Sequence, residues 1–376
     1  MNILERTQKL SSIFSLENST KIDDKLIEII PFDFTQKKGN KEIVQLQYTN
    51  TPTDFCNCLD NNIKENIKFK YKVFNPKGRV NSKKAILLLH GLNERSWDKY
   101  LTWAEDLSTN LGEPVILFPI AFHMNRTPKS WFNPRQIMPW ASKRKSESSK
   151  PQYSSFLNLA LSSRLSTNPE RLYISGRETI YNICQLLAEI KQGKHLLFNP
   201  DCKIDIFSYS IGSFLAEILL IANPYNLVSN SKLFVFCGGS IFEKMDGVAK
   251  DIMDQEAFTT VKYFYLNKFN SYKPGKIENA FKCMLSINKH KIIRENFYTN
   301  ASNRIKIIGL KQDTIMPIIG AKDAVGKANE SLIVEELDFP FKYSHQIPFP
   351  TNNEINPQLV YEQFRIIFNK AEDFLC

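Results

Sequence analysis

Residues 203–216 read KIDIFSYSIGSFLA, and no other stretch restricts the fold of this chain so tightly. The run KIDIF has the β-branched and aromatic character of a buried strand. The residues from 211 to 222, IGSFLAEILLIA, are apolar nearly all round, as a helix covered on every side should be. Ser208, Tyr209 and Ser210 are all that separates the two. So short a connection forces a sharp turn in which strand and helix crowd one another. Small side chains are then needed two positions before and two positions after the apex, and Ser208 and Gly212 supply them around Ser210.

The rest of the chain fits around this unit. Residues 42–48 and 67–74 alternate apolar and polar side chains and predict half-buried antiparallel strands. Residues 85–89 (AILLL) form a continuous apolar run, the mark of a strand buried on both faces. Further strands are predicted at 114–118, 233–237, 305–309 and 332–336. Helices are predicted at 97–110, at 176–191 with Ser175 as N-cap, and from about 357 to 375. Strands alternating with helices imply an α/β class, a mostly parallel twisted sheet with helices on both faces. Right-handed crossovers then gather the loops after the parallel strands on one edge, where a site belongs. Residues 1–40 are polar and mixed and read as an N-terminal extension with a short helix near 21–30. The main domain is expected to run over 41–376. Two stretches exceed what the core needs: a lid-like insertion at about 121–170 and an aromatic-rich, cap-like helical insertion at about 238–303.

The strand–turn–helix around Ser-Tyr-Ser-Ile-Gly, and the strand-loop AILLLHGLNERSW with its His90-Gly91 turn, resemble the α/β-hydrolase superfamily over roughly residues 40–376. The family pattern is Gly-x-Ser-x-Gly; here serine replaces the first glycine and is small enough for the crowded position. The resemblance implies that Ser210 is a nucleophile. It also implies that the backbone N–H groups of Leu92 and Ile211 form an oxyanion hole, stabilising charge on a former carbonyl oxygen. His90 reads as a brace for neighbouring loops. A nucleophilic serine needs a base, and the base an orienting acid, which this fold supplies in the order Ser, Asp or Glu, His. The strand IKIIGL leads into a loop carrying Asp313, with Glu243 and Asp338 as weaker candidates. His345 is the only histidine after position 290 and lies between the last strand and the last helix.

Other residues bear on the substrate. His123, Asn125 and Arg126 lie at the carboxyl end of the 114–118 strand and either contact substrate or pack a loop; Tyr209, beside the nucleophile, is a further candidate contact. Between 126 and 150 the chain holds Arg126, Lys129, Arg135, Lys143, Arg144, Lys145 and Lys150 against Glu147 alone, interleaved with Trp131, Phe132 and Trp140. This basic lid is either a solvated loop or a weak contact for anionic or membrane-surface ligands.

The net charge of +10 is scattered elsewhere, with no RNA-binding or zinc-finger pattern, so nucleic acid is not expected as a partner. Seven cysteines with only Cys56 and Cys58 close in sequence do not make a disulfide framework or a zinc site, and imply a reducing, cytoplasmic setting. No secretion signal and no run of 18 apolar residues is present. No Gly-x-Gly-x-x-Gly or Walker motif supports a nucleotide site. The expected function is therefore cofactor-free and metal-free hydrolysis of a small-molecule carboxylic ester through an acyl-enzyme. The alternatives are acyl transfer or thioester cleavage on the same triad, or a binding protein that keeps the fold without turnover. Acyl length, leaving group and oligomeric state are not written in the sequence.

Overall fold

The computed structural model describes residues 3–37, 60–148, 152–269, 275–351 and 355–376. The strand expected at 42–48 and the Cys56/Cys58 pair lie outside the described residues. Nine strands form one sheet: β1 (Thr20–Ile22), β2 (Ile27–Thr35), β3 (Lys68–Pro76), β4 (Ser82–Leu89), β5 (Val115–Leu117), β6 (Phe198–Tyr209), β7 (Leu233–Phe236), β8 (Ile305–Leu310) and β9 (Val334–Leu337). Their spatial order is β1-β2-β3-β5-β4-β6-β7-β8-β9. The first three strands and the β3–β5 contact are antiparallel, and every pairing from β5 through β4 to β9 is parallel. Crossover helices cover both faces. With the turn from β6 into the Ile211–Ala222 helix, this is the α/β-hydrolase fold.

The pleat explains why the central strands are apolar throughout. In β4, Ala85, Leu87 and Leu89 point into one core, and Ile86 and Leu88 into the other. The first core is shared with the helices Arg171–Lys191 and Ile211–Ala222 and with the 238–303 segment. The second lies under the helices Asp98–Leu111, Pro357–Leu375 and Ile3–Ile13.

Residues 21–30 form no α-helix; a single 3-10 turn at Asp23–Lys25 joins two strands. The segment TKIDDKLIEIIPFDFT is a hairpin whose second strand pairs with β3 along its nine residues. Its alternation of Ile27 and Ile29 with Glu28 is a strand pattern, and sheet pairing outweighs the helix-forming charges beside it. Residues 3–37 are thus built into the sheet and its cover. The Arg171–Lys191 helix begins five residues before the expected start. Ser175 is inside it and caps nothing; its Oγ donates to Ala121 O at 2.8 Å. Gly176 is accommodated mid-helix beside Leu215. Residues 332–333 close a helical turn, and β9 starts at Val334.

The 121–170 segment carries the helices Pro134–Glu147 and Leu159–Thr167, and the 238–303 segment carries Gln255–Tyr263, Lys276–Cys283 and Lys291–Asn300. The two segments pack on each other. Arg144 grips Asp254 with two hydrogen bonds of 2.6 and 2.9 Å, and Asp254 N donates to Ser162 Oγ at 3.0 Å. Among the described residues, no helix is long and apolar enough to cross a membrane.

Candidate active site

The chemistry-bearing residues sit at the carboxyl ends of the parallel strands. Ser210 ends β6 with φ 57° and ψ −128°, a conformation that a serine holds only where the surroundings impose it. The surroundings are the two close-packed elements. A Cβ at position 212 would lie 2.6 Å from His90 O and 2.7 Å from Leu89 O, so only glycine lets the helix start so near β4. Ser208 is buried and donates to Phe234 O at 3.3 Å. Ser210 caps the buried Ile211–Ala222 helix and is itself 3% exposed.

Three side chains from distant parts of the chain meet here. Ser210 Oγ is 2.7 Å from His345 Nε2. His345 Nδ1 is 2.7 Å from Asp313 Oδ2. The other carboxylate oxygen of Asp313 accepts from the backbone N–H of Ile315 and of Met316, each at 2.9 Å. The acid is thereby oriented before it meets the imidazole, and its bond to Nδ1 directs Nε2 at the serine. The weaker acid candidates lie elsewhere. Glu243 accepts from Ser286 Oγ and Ile287 N, which holds its carboxyl below the usual range. Asp338 accepts from Tyr343 OH at 2.9 Å and Gln312 Nε2 at 3.0 Å, and so braces the loop that carries His345.

The His90-Gly91 turn abuts the serine: a Cβ at Gly91 would stand 3.4 Å from Ser210 Cβ. The Gly91 N–H is engaged by Tyr100 OH at 2.9 Å, so the next amide along the turn is that of Leu92. His90 is fully buried. Ile120 N donates to its Nε2 at 2.9 Å, which places the ring proton on Nδ1, 2.8 Å from Gly91 O. Burial holds His90 neutral, its pKa well below the ordinary value, so it braces the turn and carries no charge to it.

A network not expected from the sequence joins this turn to the loop of His345. Tyr100 OH donates to Glu94 Oε1 at 2.8 Å, and Lys99 Nζ lies 2.5 Å from the same oxygen. Lys99 also donates to Gln346 O at 3.1 Å, one residue beyond His345, and stands 4.6 Å over the Tyr209 ring. Tyr209, the further candidate contact, is engaged with His345. Its side chain is buried, stacks on the His345 ring at 5.4 Å and donates its hydroxyl to His345 O. In sequence, the one signal for these roles is position: each flanks a recognised motif.

Of the other candidate contacts, Asn125 turns toward the sheet and donates to Lys70 O at 2.8 Å. Arg126 is 0% exposed, held by Asn66, Pro119 O, Glu178 and Asn182, and lies 4.1 Å over the Phe69 ring. It is packed inside the fold and lines neither of the two cavities that His123 reaches. His123 alone of the three reaches a cavity. Two cavities of about 40 Å³ each share a wall made by Leu92, His123, Leu172 and Ser175. One is apolar, bounded by Ile211, Phe214 and Phe281; the other is mixed, bounded by Glu94, Trp131 and Arg164. The basic residues of 126–150 do not act as one patch. Arg126 is buried and Arg144 is paired with Asp254, whereas Lys129, Arg135, Lys143 and Lys145 are exposed.

A family model described as a family of unknown function, DUF6051, matches residues 1–376. The chain belongs to DUF6051. No curated protein matches the DUF6051 chain in sequence. Among solved structures, it is similar to carboxyl esterase 2 of the fungus Tuber melanosporum, at 9% identity and TM-score 0.47 over 100% of both chains. It is similar to a thermostable esterase of Pseudomonas putida, at 13% identity and TM-score 0.42 over 100% of this chain and 88% of that one. An esterase of Pyrobaculum calidifontis aligns at 11% identity and TM-score 0.43, over 98% and 89%.

Proposed function

We propose that this DUF6051 protein is a serine hydrolase that cleaves a carboxylic ester through an acyl-enzyme. One observation carries the reading: Ser210, in its strained turn, is hydrogen-bonded to His345, and His345 to Asp313, both at 2.7 Å. Ser210 Oγ attacks the carbonyl carbon while its proton passes to His345 Nε2. The carbonyl π pair moves onto oxygen, held by the amides of Leu92 and Ile211. Ile211 opens a helix, so the positive end of its dipole faces the developing charge. The tetrahedral species expels the alcohol, which takes the proton from His345. Water then repeats the sequence on the acyl-enzyme and releases the acid. Asp313 stabilises the imidazolium formed in each half. No step calls for a metal or an organic cofactor.

The test is labelling by a fluorophosphonate probe together with turnover of p-nitrophenyl butyrate. Wild type is expected to label at Ser210 and turn over. Ser210→Ala is expected to lose labelling and at least about 10³-fold in kcat. Equal labelling or equal turnover in Ser210→Ala overturns the proposal.

A further inference from the structure

We propose that the substrate carries a hydroxyl or N–H donor close to its scissile ester, and that His123 Nε2 reads it. The inference rests on Ser210 being the nucleophile. His123 is 5% exposed and stands on the wall between the two cavities, beside Leu92. Its Nδ1 is bonded to Ala121 O at 2.9 Å, so the ring proton is there and Nε2 is left as an acceptor. That Nε2 is buried and has no hydrogen-bond partner among the described residues. Buried polar atoms are nearly always paired, and an orphan acceptor on a ligand wall is a deficit that a substrate donor makes good.

Other polar atoms nearby are committed within the fold. Ser175 Oγ, on the same wall, donates to Ala121 O. Glu94 Oε1 takes Tyr100 and Lys99. Arg164 and Arg171 at the mixed cavity are directed at Asp60, at 2.6 and 2.8 Å. Burial holds the imidazole at about 4, so at neutral pH it accepts and does not repel a cation. The cavities are small: about 40 Å³ each is room for roughly three water-sized groups. The substrate class is accordingly a short-chain ester, hydroxylated or aminated within a few bonds of the carbonyl. A site built to bond such a group rejects the analogue that lacks it.

Two matched pairs separate a donor on the acyl side from one on the alcohol side: p-nitrophenyl 3-hydroxybutyrate against p-nitrophenyl butyrate, and glycerol 1-monobutyrate against propyl butyrate. Wild type is expected to prefer the hydroxylated member of one pair by about tenfold in kcat/KM. His123→Asn keeps a donor for Ala121 O but lacks an acceptor at the Nε2 position. It is expected to lower the preference to within about twofold, with the loss mainly in KM for the hydroxylated member. His123→Gln reaches that position with its amide oxygen and is expected to restore part of it. Absence of preference in both wild-type pairs overturns the inference even if neither variant folds. A preference that survives in a folded His123→Asn overturns it too. Turnover that persists in Ser210→Ala instead removes the nucleophile on which the inference stands, so the two failures are told apart.

Discussion

Glu217 lies in the helix that Ser210 caps, fully buried, with Tyr298 OH donating to its Oε1 at 2.8 Å. Burial pushes its carboxyl up to about 8 from an ordinary value of 4.5. The folded chain therefore keeps a proton there that the unfolded chain releases. The resulting stabilisation is complete below about 4.5 and is lost as pH rises through about 8, with a slope of at most about 1.4 kcal/mol per pH unit. Glu217→Gln keeps an acceptor for Tyr298 and removes the titration. Its melting temperature relative to wild type is expected to climb between pH 5 and pH 8.5; parallel curves would contradict a protonated Glu217. Residues of this kind were invisible in the sequence, where Glu217 is one polar letter in an apolar helix. Ser210 and Gly212 were legible because the constraint on them is local: crowding at a turn demands small neighbours. For Arg126 and Asn125 the sequence left two roles open, because position at a strand end does not fix which way a loop side chain points. Arg126 had the partners for burial in Glu178 and Asn182, more than fifty positions away.

At the scale of elements, the loop bearing His345 has no regular structure and is held by tethers. Tyr209 takes the backbone oxygen of His345, Lys99 that of Gln346, and Tyr343 is bonded to both Gln312 N and Asp338. Tyr209→Phe removes one tether and leaves a buried carbonyl unpaired, a cost of about 1–3 kcal/mol. Expected outcomes are a roughly tenfold fall in kcat and slower fluorophosphonate labelling. Unchanged labelling with a lowered melting temperature would assign Tyr209 to stability alone. The parallel strands were legible because burial on both faces writes a continuous apolar run. The 20–35 hairpin was not, since its charged residues suit a helix locally and its partner, β3, enters more than thirty residues later.

For the whole molecule, the amino-terminal helix is a working part of the second core. Ile3 and Leu10 are buried under the sheet, and Arg6 Nε donates to Glu105 Oε2 at 2.6 Å while Nη1 reaches Asp24 at 2.6 Å. Arg6 and Glu105 are both buried, so Arg6→Met leaves a carboxylate inside without its partner, at a cost of about 3 kcal/mol. Urea denaturation is expected to show that loss, and Arg6→Met combined with Glu105→Leu to recover much of it. A single mutant as stable as wild type would mean that the helix docks without this pair. The polar, mixed composition of this region suggested an appendage because its few apolar residues, spaced along helix and hairpin, reveal a common face only once the sheet exists.

Tyr209 and Ser210 are neighbours in the chain, and the first holds His345 while the second presents its hydroxyl to the same ring. The spacing between the Ser210 oxygen and the His345 imidazole is thus gauged by a single peptide unit at the end of β6. The walls of the cavities draw on the loops after β4 and β5, the Arg171–Lys191 and Ile211–Ala222 helices, the 121–170 segment and Phe281. Side chains on those walls can change without touching the Tyr209 tether that holds His345 beside Ser210.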